Sequence, residues 1–503
     1  MRQHLAKLAL ACLVGGCSLL YNPSNISKQP IDGAIDAPAI DANAANLSVI
    51  AAAPSIIDEG QGDFGSRPAV LVVHGSNFVV GAQVTITAAS TIHVDVDNTQ
   101  VAISSAADYL AVPVTAHVDP ALGETAPVPL TITVTQPANG STVSQMLAGQ
   151  VSLQGHAELD AAHLPPTDGT ALAMKYSKID LTGNDFTFTG GAGQPVLLRS
   201  VSSIAIGTIT AKGKDASGTT HGVAGPGGCN GGDGSTAGDC DGGGGAGTAS
   251  TVSLGSGGGG GAGFAAMGTS GNDTGHGTGG SQVGDDLIAT YAGFMSNKPN
   301  HAAGGGGGGG STLGAGGGGG GGGGLVELTA GGDVTTGVID TSGGAGSSAN
   351  GAGGGGGAGG VIVLRAGGTL TVTSGTLKAL GGAAGASDAG AGSDGRIRWD
   401  APAGGAPSAM PTPVRGPAYT TTAIAVTTAQ LQLVGSPNHT FSIYWVDDAQ
   451  QTHTGSMGSF GDAGTATIGP ALAPGYSHVC ITLTGGQQGK PEADKCIDVA
   501  YLP

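Results

Sequence analysis

Glycine dominates the middle of this 503-residue chain. Of its 101 glycines, 68 lie between residues 221 and 400. Glycine has no side chain to bury and loses more conformational entropy on ordering than any other residue. Such a segment cannot build an ordinary hydrophobic core. It is expected either to remain disordered or to form extended helices of the polyproline II type that hydrogen-bond sideways to each other. The sequence leaves both alternatives open.

Three segments with strand character interrupt the glycine-rich region and can be laid over one another. They are Leu198 to Gly213, Leu328 to Gly343 and Leu364 to Gly381. Gly207 and Gly337 each follow the leading leucine by nine residues, whereas two extra residues precede Gly375, an insertion that keeps the side-chain parity of a strand. Repeats of one unit predict stacking into a β-solenoid over residues 137–410.

The same repeat pattern resembles glycine-rich parallel β-helix lipoproteins and surface proteins. That resemblance implies that the long glycine tracts, Gly304–Gly310 and Gly316–Gly324, are loops that leave the solenoid.

Residues 48–136 carry several short apolar runs separated by turn residues, a pattern typical of a β-sandwich. The run VLVVHGSNFVVGAQVTI resembles the IPT/TIG domain, an immunoglobulin-like module. The residues that match its pattern are Gly75, Asn77, Phe78, Gly81 and Val84. The resemblance implies a tight turn at Gly75 and a Phe78 side chain that fills the sandwich. It indicates architecture rather than activity.

Residues 411–503 again show alternating strand candidates and predict a second sandwich. The run ALAPGYSHVCITL loosely resembles the approach to a late strand in fibronectin type III-like domains. Together, the segments predict an all-β chain, with an N-terminal immunoglobulin-like sandwich, a central parallel β-helix-like region and a C-terminal immunoglobulin- or fibronectin-like sandwich.

The first residues have the layout of a secretory signal. Arg2 and Lys7 precede a short apolar run, which is far shorter than the roughly 20 residues needed to span a bilayer. The ending LVGGC resembles the lipobox of bacterial lipoproteins. That resemblance implies cleavage after residue 16 and diacylglycerol on Cys17, and Ser18 after the cysteine favours the outer membrane. An ordinary secreted protein cut nearby is the alternative, while Cys12 lies inside the apolar run and is a poorer candidate.

Residues 17–47 then form the acylated cysteine and an acidic tether rich in Ala, Pro and Asp, too poor in apolar bulk to fold. Two or more acyl chains hold a protein firmly where one chain binds only marginally. A membrane is therefore the expected partner. The formal net charge of −18 argues against nucleic acid, whose phosphates need Lys and Arg for neutralisation.

Four cysteines remain after processing, in two close pairs. We expect disulfides between Cys229 and Cys240 and between Cys480 and Cys496, since an even number of cysteines in an exported chain favours them. A zinc site at the first pair is the alternative, but there is no CxxC spacing to support it.

Calcium is the most plausible ion, although no cofactor is required by any motif. Asp95 and Asp97 share one face of a predicted strand, followed by Asn98, but the glycine of a calcium loop is missing. The stretch Gly231 to Asp239 nearly matches a calcium-binding nonapeptide. Weak candidate ligands in and near it are Asp233, Asp239, Asp241 and Asp273.

Catalytic signatures are absent from the sequence. It contains no G-x-S-x-G, HExxH or P-loop motif, and isolated histidines such as His74 and His93 are typical of surface or core positions. A polysaccharide-acting β-helix would need clustered carboxylates or a basic residue on its outer face. The candidates are Asp340, Lys378, Arg365 and Arg396, most of which align with outward-facing strand positions.

These observations favour a non-catalytic cell-envelope lipoprotein with a structural, display or adhesive role, exposed at the surface or facing the periplasm. Surface polysaccharide or another envelope protein is a possible partner. A carbohydrate- or ligand-binding protein is the first alternative, for which Trp399, Tyr444 and Trp445 are the few aromatic candidates. A polysaccharide-acting enzyme is the second.

Overall fold

The computed structural model is all-β, and none of the residues it describes is helical. Consequently, no helix in this part of the chain is long and apolar enough to cross a membrane. The described residues are 46–63, 67–88, 94–118, 123, 126–165, 175–189, 195–240, 242–248, 257–272, 275–282, 306–310, 315–484 and 495–503.

Nine strands form the N-terminal sandwich. They are β1 (Ser48–Ala53), β2 (Ile56–Asp58), β3 (Ala69–Ser76), β4 (Gln83–Ala88), β5 (Val94–Val96), β6 (Ala102–Ile103), β7 (Tyr109–Ala116), β8 (Val128–Ala138) and β9 (Ser141–Gln154). One sheet has the order β1-β3-β7-β5 with β6 on β7, and the other has the order β2-β9-β8-β4. The sandwich continues past the boundary predicted at residue 136, because β9 pairs antiparallel with β8 along its length.

Seventeen strands follow in the central region. They are β10 (Lys175–Tyr176), β11 (Ile179–Leu181), β12 (Phe186–Thr187), β13 (Val196–Ser200), β14 (Ile204–Ile206), β15 (Ile209–Thr210), β16 (Leu325–Ala330), β17 (Val334–Thr336), β18 (Ile339–Asp340), β19 (Ser348–Ala349), β20 (Ala352–Gly353), β21 (Val361–Ala366), β22 (Leu370–Val372), β23 (Leu377–Lys378), β24 (Arg396–Asp400), β25 (Ala409–Met410) and β26 (Val414–Arg415).

All of these except the hairpin β19–β20 build a parallel solenoid with three faces. Face 1 has the order β10-β13-β16-β21-β24-β26, face 2 the order β11-β14-β17-β22, and face 3 the order β12-β15-β18-β23-β25. Four coils contribute one strand to each face in turn: β10–β12, β13–β15, β16–β18 and β21–β23. A fifth coil has β24 on face 1 and β25 on face 3, and β26 adds a last strand to face 1. Alternate side chains therefore point inward and stack on the equivalent side chains of the next coil.

The overlay of the three sequence segments is confirmed by the strand register. Leu198 pairs with Leu328, and Leu328 with Leu364. All three are buried in the solenoid core. The two extra residues of the third segment lie in the turn between β22 and β23, where Gly375 has a φ of +73°.

The glycine tracts fill the corner between face 3 and face 1, through which the chain passes from each coil to the next. The tract 316–324 is buried, and its amides bond to three neighbouring segments, 211–218, 229–232 and 352–358. Its successive amides donate to these neighbours in rotation: Gly318 to Gly218, Gly319 to Gly232, Gly320 to Gly355, Gly321 to Lys214, Gly322 to Cys229 and Gly323 to Ala358, at 2.8–3.1 Å. A period of three residues is that of a polyproline II helix.

We call this array of segments the glycine lattice. Its described tracts are packed and hydrogen-bonded. They are therefore extended helices of the polyproline II type that bond sideways to each other, rather than disordered segments. A Cβ on Gly320 would lie within 3.0 Å of the Gly344 carbonyl, and one on Gly357 within 3.0 Å of the Gly321 carbonyl. Real Cβ atoms essentially never approach so closely. Glycine is thus required at these positions, because the backbone of a neighbouring segment occupies the space that a side chain would need.

A small apolar patch attaches the lattice to the solenoid. Ala262 and Phe264 of the lattice pack on the outer side of face 1, against Leu325, Val361 and Val363. The guanidinium of Arg396 lies 4.7 Å from the centroid of the Phe264 ring.

The last nine strands form the C-terminal sandwich. They are β27 (Ala418–Tyr419), β28 (Ala425–Val426), β29 (Leu431–Val434), β30 (Thr440–Asp447), β31 (Thr452–Thr454), β32 (Gly458–Ser459), β33 (Thr465–Ile468), β34 (Gly475–Thr484) and β35 (Lys495–Tyr501). One sheet is β27-β29-β33, and the other is β28-β35-β34-β30-β31 with β32 on β30.

The two sandwiches pack directly against each other. Buried apolar side chains of the N-terminal sandwich meet those of the C-terminal sandwich in one cluster: Ala53, Val70, Val72, Ala111, Ile424, Tyr476, Ala500 and Leu502. Both sandwiches also reach the solenoid corner between faces 1 and 2, at Val201, Gly331 and Gly367. The sandwiches and the glycine lattice therefore occupy different corners of the solenoid.

Candidate functional site at the domain junction

A cavity of about 250 Å³ opens where the two sandwiches meet the solenoid. The N-terminal sandwich contributes Gln61, Asp63 and Arg67, and the C-terminal sandwich contributes His478, Cys496 and Asp498. The solenoid contributes mainly small residues of its corner turns, including Gly331 and Gly367. Charged and polar side chains are thus concentrated on the walls that the sandwiches supply.

Four of the C-terminal residues form a square on one face of two paired strands. His478 and Cys480 are two residues apart on β34, and Cys496 and Asp498 are two residues apart on β35. The register places His478 opposite Asp498 and Cys480 opposite Cys496. Because side chains alternate between the two faces of a strand, all four project to the same side. We call them the His/Asp–Cys/Cys square.

Both rows of the square are closed by contacts. His478 Nδ1 lies 2.6 Å from Asp498 Oδ1, and Cys480 and Cys496 form a disulfide with Cα atoms 4.1 Å apart. A ring nitrogen of His478 and the two sulfur atoms all lie within 4.8 Å of one another. In the described part of the chain, this is the one cluster of three ligand-type side chains with metal-site spacing.

Asp498 also connects the square to the N-terminal sandwich. Its carboxylate accepts a hydrogen bond from the Tyr476 hydroxyl at 2.7 Å and from Gln61 Nε2 at 3.4 Å. Burial alone would raise the pKa of Asp498, but the hydrogen bond from His478 and the charges of His478 and Arg67 lower it on balance. The Asp498 side chain is therefore held as a carboxylate.

The side chain of Arg67 connects the N-terminal sandwich to backbone carbonyls of the C-terminal sandwich. Its guanidinium donates to the carbonyl oxygens of Thr422, Ala423 and Asp498, at 3.3, 3.0 and 2.5 Å. Burial lowers the pKa of Arg67 to about 10, and the neighbouring Asp498 charge opposes that shift. The arginine remains charged near neutral pH.

A second ionic junction links the N-terminal sandwich to the first solenoid coil. Asp58 contacts Lys175 Nζ at 2.5 Å and His156 Nε2 at 2.8 Å. Burial would raise the pKa of Asp58, but Lys175 and His156 together lower it.

The residues of the predicted IPT/TIG pattern lie at one end of the N-terminal sandwich. Phe78 and Val84 are buried in its core, as predicted for Phe78. Asn77 and Gly81 have positive φ angles, of 63° and 92°. The predicted turn at Gly75 is wrong, because that glycine lies inside β3. It is needed there for a close approach, since a Cβ would collide with the Ser48 carbonyl and the Phe78 ring.

The predicted disulfide between Cys229 and Cys240 is also present, within the glycine lattice. Of the weak calcium candidates near it, Asp233 instead binds His221, accepting from the backbone amide at 2.9 Å and contacting Nδ1 at 2.8 Å. Asp239 bonds into the lattice through its backbone amide. Asp241 and Asp273 lie outside the described residues.

The other calcium candidates also have protein partners. Asp95 contacts His117 at 2.8 Å, and Asp97 accepts hydrogen bonds from Thr99 and Gln100. The Asn98 side chain makes two hydrogen bonds with the backbone of Val84. Its oxygen accepts from the Val84 amide at 2.7 Å, and its nitrogen donates to the Val84 carbonyl at 3.0 Å.

The charges expected at outward-facing positions of face 1 are covered by other parts of the chain. Arg365 and Arg396 point away from the solenoid core, but neighbouring segments cover them, and their exposed fractions are 6% and 3%. Arg365 Nε lies 3.5 Å from Asp400, which also binds Arg398 through two contacts of 2.7 and 2.8 Å. Asp340 and Lys378, in contrast, are adjacent on face 3.

The three aromatic candidates do not form an exposed platform. Trp399 points into the solenoid core, and Trp445 is buried in the C-terminal sandwich, with His453 stacked on it at 5.3 Å. Tyr444 is partly exposed.

Sequence reasoning missed the His/Asp–Cys/Cys square, although the spacing of its residues in the sequence could have indicated it. His478-x-Cys480 and Cys496-x-Asp498 both have the two-residue spacing of one strand face. Cys12, Cys17, Ser18, His93 and the predicted tether up to residue 45 lie outside the described residues, whereas Leu47, at the end of that tether, is buried in the core of the N-terminal sandwich.

The chain matches no family model and no curated protein.

Proposed function

We propose that this chain is a bacterial lipoprotein, exported and anchored through Cys17, that presents its glycine lattice at the cell envelope in a structural or adhesive role. The sequence supports the anchor through its lipobox-like ending and acidic tether. The fold supports the presenting role through the separation of the sandwiches from the lattice.

The placement of the lattice is the observation that carries this proposal. A tether would join the folded part at β1, in the N-terminal sandwich, which packs with the C-terminal sandwich at the corner between faces 1 and 2. The lattice occupies the corner between faces 3 and 1. The lattice therefore lies at a different corner of the solenoid from the sandwich that the tether would join.

The anchor is tested by replacing its cysteine. Cells expressing Cys17→Ser should show no incorporation of labelled palmitate into the protein, and the protein should leave the membrane fraction. Cys12→Ser is the matched control and should retain both label and membrane association. Equal labelling of Cys17→Ser and the parent protein would contradict the lipid anchor.

The presenting role is tested on intact cells. Brief protease treatment should cleave the anchored protein, and cells lacking the protein should attach less well to surfaces or to each other. Protection from protease with normal attachment of the deletion strain would reject surface display. Protection with a defect in envelope integrity would instead indicate a periplasmic structural role.

A further inference from the structure

We infer that the His/Asp–Cys/Cys square is a redox-gated metal site, which takes one zinc-like divalent cation when its disulfide is reduced to two thiols. His478, Cys480 and Cys496 would be the protein ligands, and Asp498 would orient the histidine. The inference is independent of the proposed envelope role.

The donor set and its geometry point to this class of metal. Two thiolates and one imidazole are ligands that zinc binds in tetrahedral sites, at about 2.3 Å for sulfur and about 2.0–2.1 Å for nitrogen. The three ligand atoms already lie within 4.8 Å of one another. Because each ligand atom would lie about 2.0–2.3 Å from a bound ion, atoms this close together can share one centre once the bond between the two sulfur atoms is broken.

Asp498 supplies the support that such sites need. Metal-binding histidines generally pair their second ring nitrogen with a carboxylate, which fixes the orientation of the ring. Asp498 lies 2.6 Å from His478 Nδ1 and is itself fixed by the Tyr476 hydroxyl. The cavity beside Cys496 gives a water molecule access as the fourth ligand.

The reducing step is thiol–disulfide exchange with a dithiol. A thiolate of the reductant attacks the Cys496 sulfur, on the cavity side, and Cys480 leaves as a thiolate. The second thiol of the reductant then closes its own disulfide and releases Cys496, so that two electrons pass to the protein. Metal binding displaces the remaining thiol protons to solvent, since only thiolates serve as ligands.

The second disulfide lacks these features. Within the described residues, no histidine joins Cys229 and Cys240 in a three-ligand cluster. The two pairs therefore provide an internal comparison.

The test titrates the full chain with Co²⁺ alone, before and after reduction by a dithiol that is removed under anaerobic conditions. The reduced protein should gain one Co²⁺ per chain, with a thiolate-to-cobalt charge-transfer band that Zn²⁺ abolishes. The oxidised protein and the reduced variant Cys480→Ser/Cys496→Ser should show no such band. Reduced Cys229→Ser/Cys240→Ser should keep it.

Two further variants separate ligand from structural roles. His478→Ala should weaken binding by at least tenfold, and Asp498→Asn by about 10–100-fold, as for other partners of metal-binding histidines. His453→Ala is the control, because His453 pairs with Asp447 on the same sheet without nearby thiols. Circular dichroism before titration checks folding, with His478→Gln measured if the alanine variant unfolds. A reduced protein without the band, or a band unchanged by both His478 variants, would overturn the inference.

Discussion

The solenoid and the glycine lattice are built on the same turns of the chain but are held together in different ways. In the solenoid, apolar side chains such as Leu198, Leu328 and Leu364 stack coil on coil in a buried core. In the lattice, backbone amides and carbonyls bond directly between segments, with almost no side chain between them. One region is stabilised by burial of apolar surface, and the other by satisfied backbone hydrogen bonds at close approach.

This difference determines which substitutions each region tolerates. A solenoid position loses stability when a side chain is made smaller, because a cavity remains. A lattice position loses stability when any side chain is added, because the space is already occupied by backbone. The two regions should therefore respond in opposite directions to a change in side-chain volume.

The largest effect is expected from adding volume inside the lattice. Gly320→Val should destabilise the lattice by about 3–5 kcal/mol. The added side chain would collide with the carbonyl of Gly344, which cannot move without breaking hydrogen bonds between neighbouring segments. Local hydrogen exchange over residues 306–324 would measure it. Gly405→Val is the matched control, since nothing lies within 4 Å of a Cβ at that exposed position. Equal protection in both variants would show that the lattice is loosely packed.

Removing volume from the solenoid should have a comparable or slightly smaller effect. Leu328→Ala should cost about 2–5 kcal/mol, as is typical of a buried leucine. Chemical denaturation would measure the loss. Met146→Ala, at a methionine that is 66% exposed, should change stability by no more than about 0.5 kcal/mol. A similar small change in Leu328→Ala would argue against a continuous solenoid core.

The lattice disulfide should matter less than lattice packing. Cys229→Ser/Cys240→Ser opens a loop with a sequence separation of 11 residues and should cost about 2–3 kcal/mol. Faster hydrogen exchange should be confined to the lattice. Cys480→Ser/Cys496→Ser is the comparison and should affect the C-terminal sandwich instead. If Cys229→Ser/Cys240→Ser also speeded hydrogen exchange in the C-terminal sandwich, the effect of the lattice disulfide would not be confined to the lattice.

The smallest effect concerns the ionic junction between the N-terminal sandwich and the solenoid. The folded-state pKa of Asp58 lies below the usual 3.8, because Lys175 and His156 outweigh its burial. The ionised carboxylate therefore stabilises the fold above pH 3.8, and this contribution is lost as the pH falls through the folded-state pKa. We expect less than about 1 kcal/mol, since solvent screens a pair in which the Lys175 side chain is 47% exposed.

Denaturation of the parent protein and Asp58→Asn between pH 3 and pH 6 would measure this contribution. The stability difference between them should shrink as the pH falls. A difference that grows on acidification would mean that the sign of the Asp58 contribution is wrong.

Strand content and coil register could be predicted because they depend on local patterns. The repeated leucine-to-glycine spacing identified the three coils that begin at Leu198, Leu328 and Leu364. The first and last coils were not predicted, because β10–β12 and β24–β26 lack the complete pattern. They are identified only by their pairing with neighbouring coils. The burial of Arg365 and Arg396 could not be predicted for a related reason: alternation predicts direction relative to the core, but not what covers the outer side.

From the amino-acid sequence alone, it could be predicted that the chain is rich in β-structure, that its cysteines pair locally, and that its glycine tracts lack a side-chain core. These properties follow from composition and short-range spacing. Whether the tracts are ordered depends on the tertiary structure, because they bond to segments distant in sequence, as Gly321 does to Lys214, 107 residues earlier. The tertiary structure also brought His478, Cys480, Cys496 and Asp498 together, since their proximity depends on the register of β34 against β35.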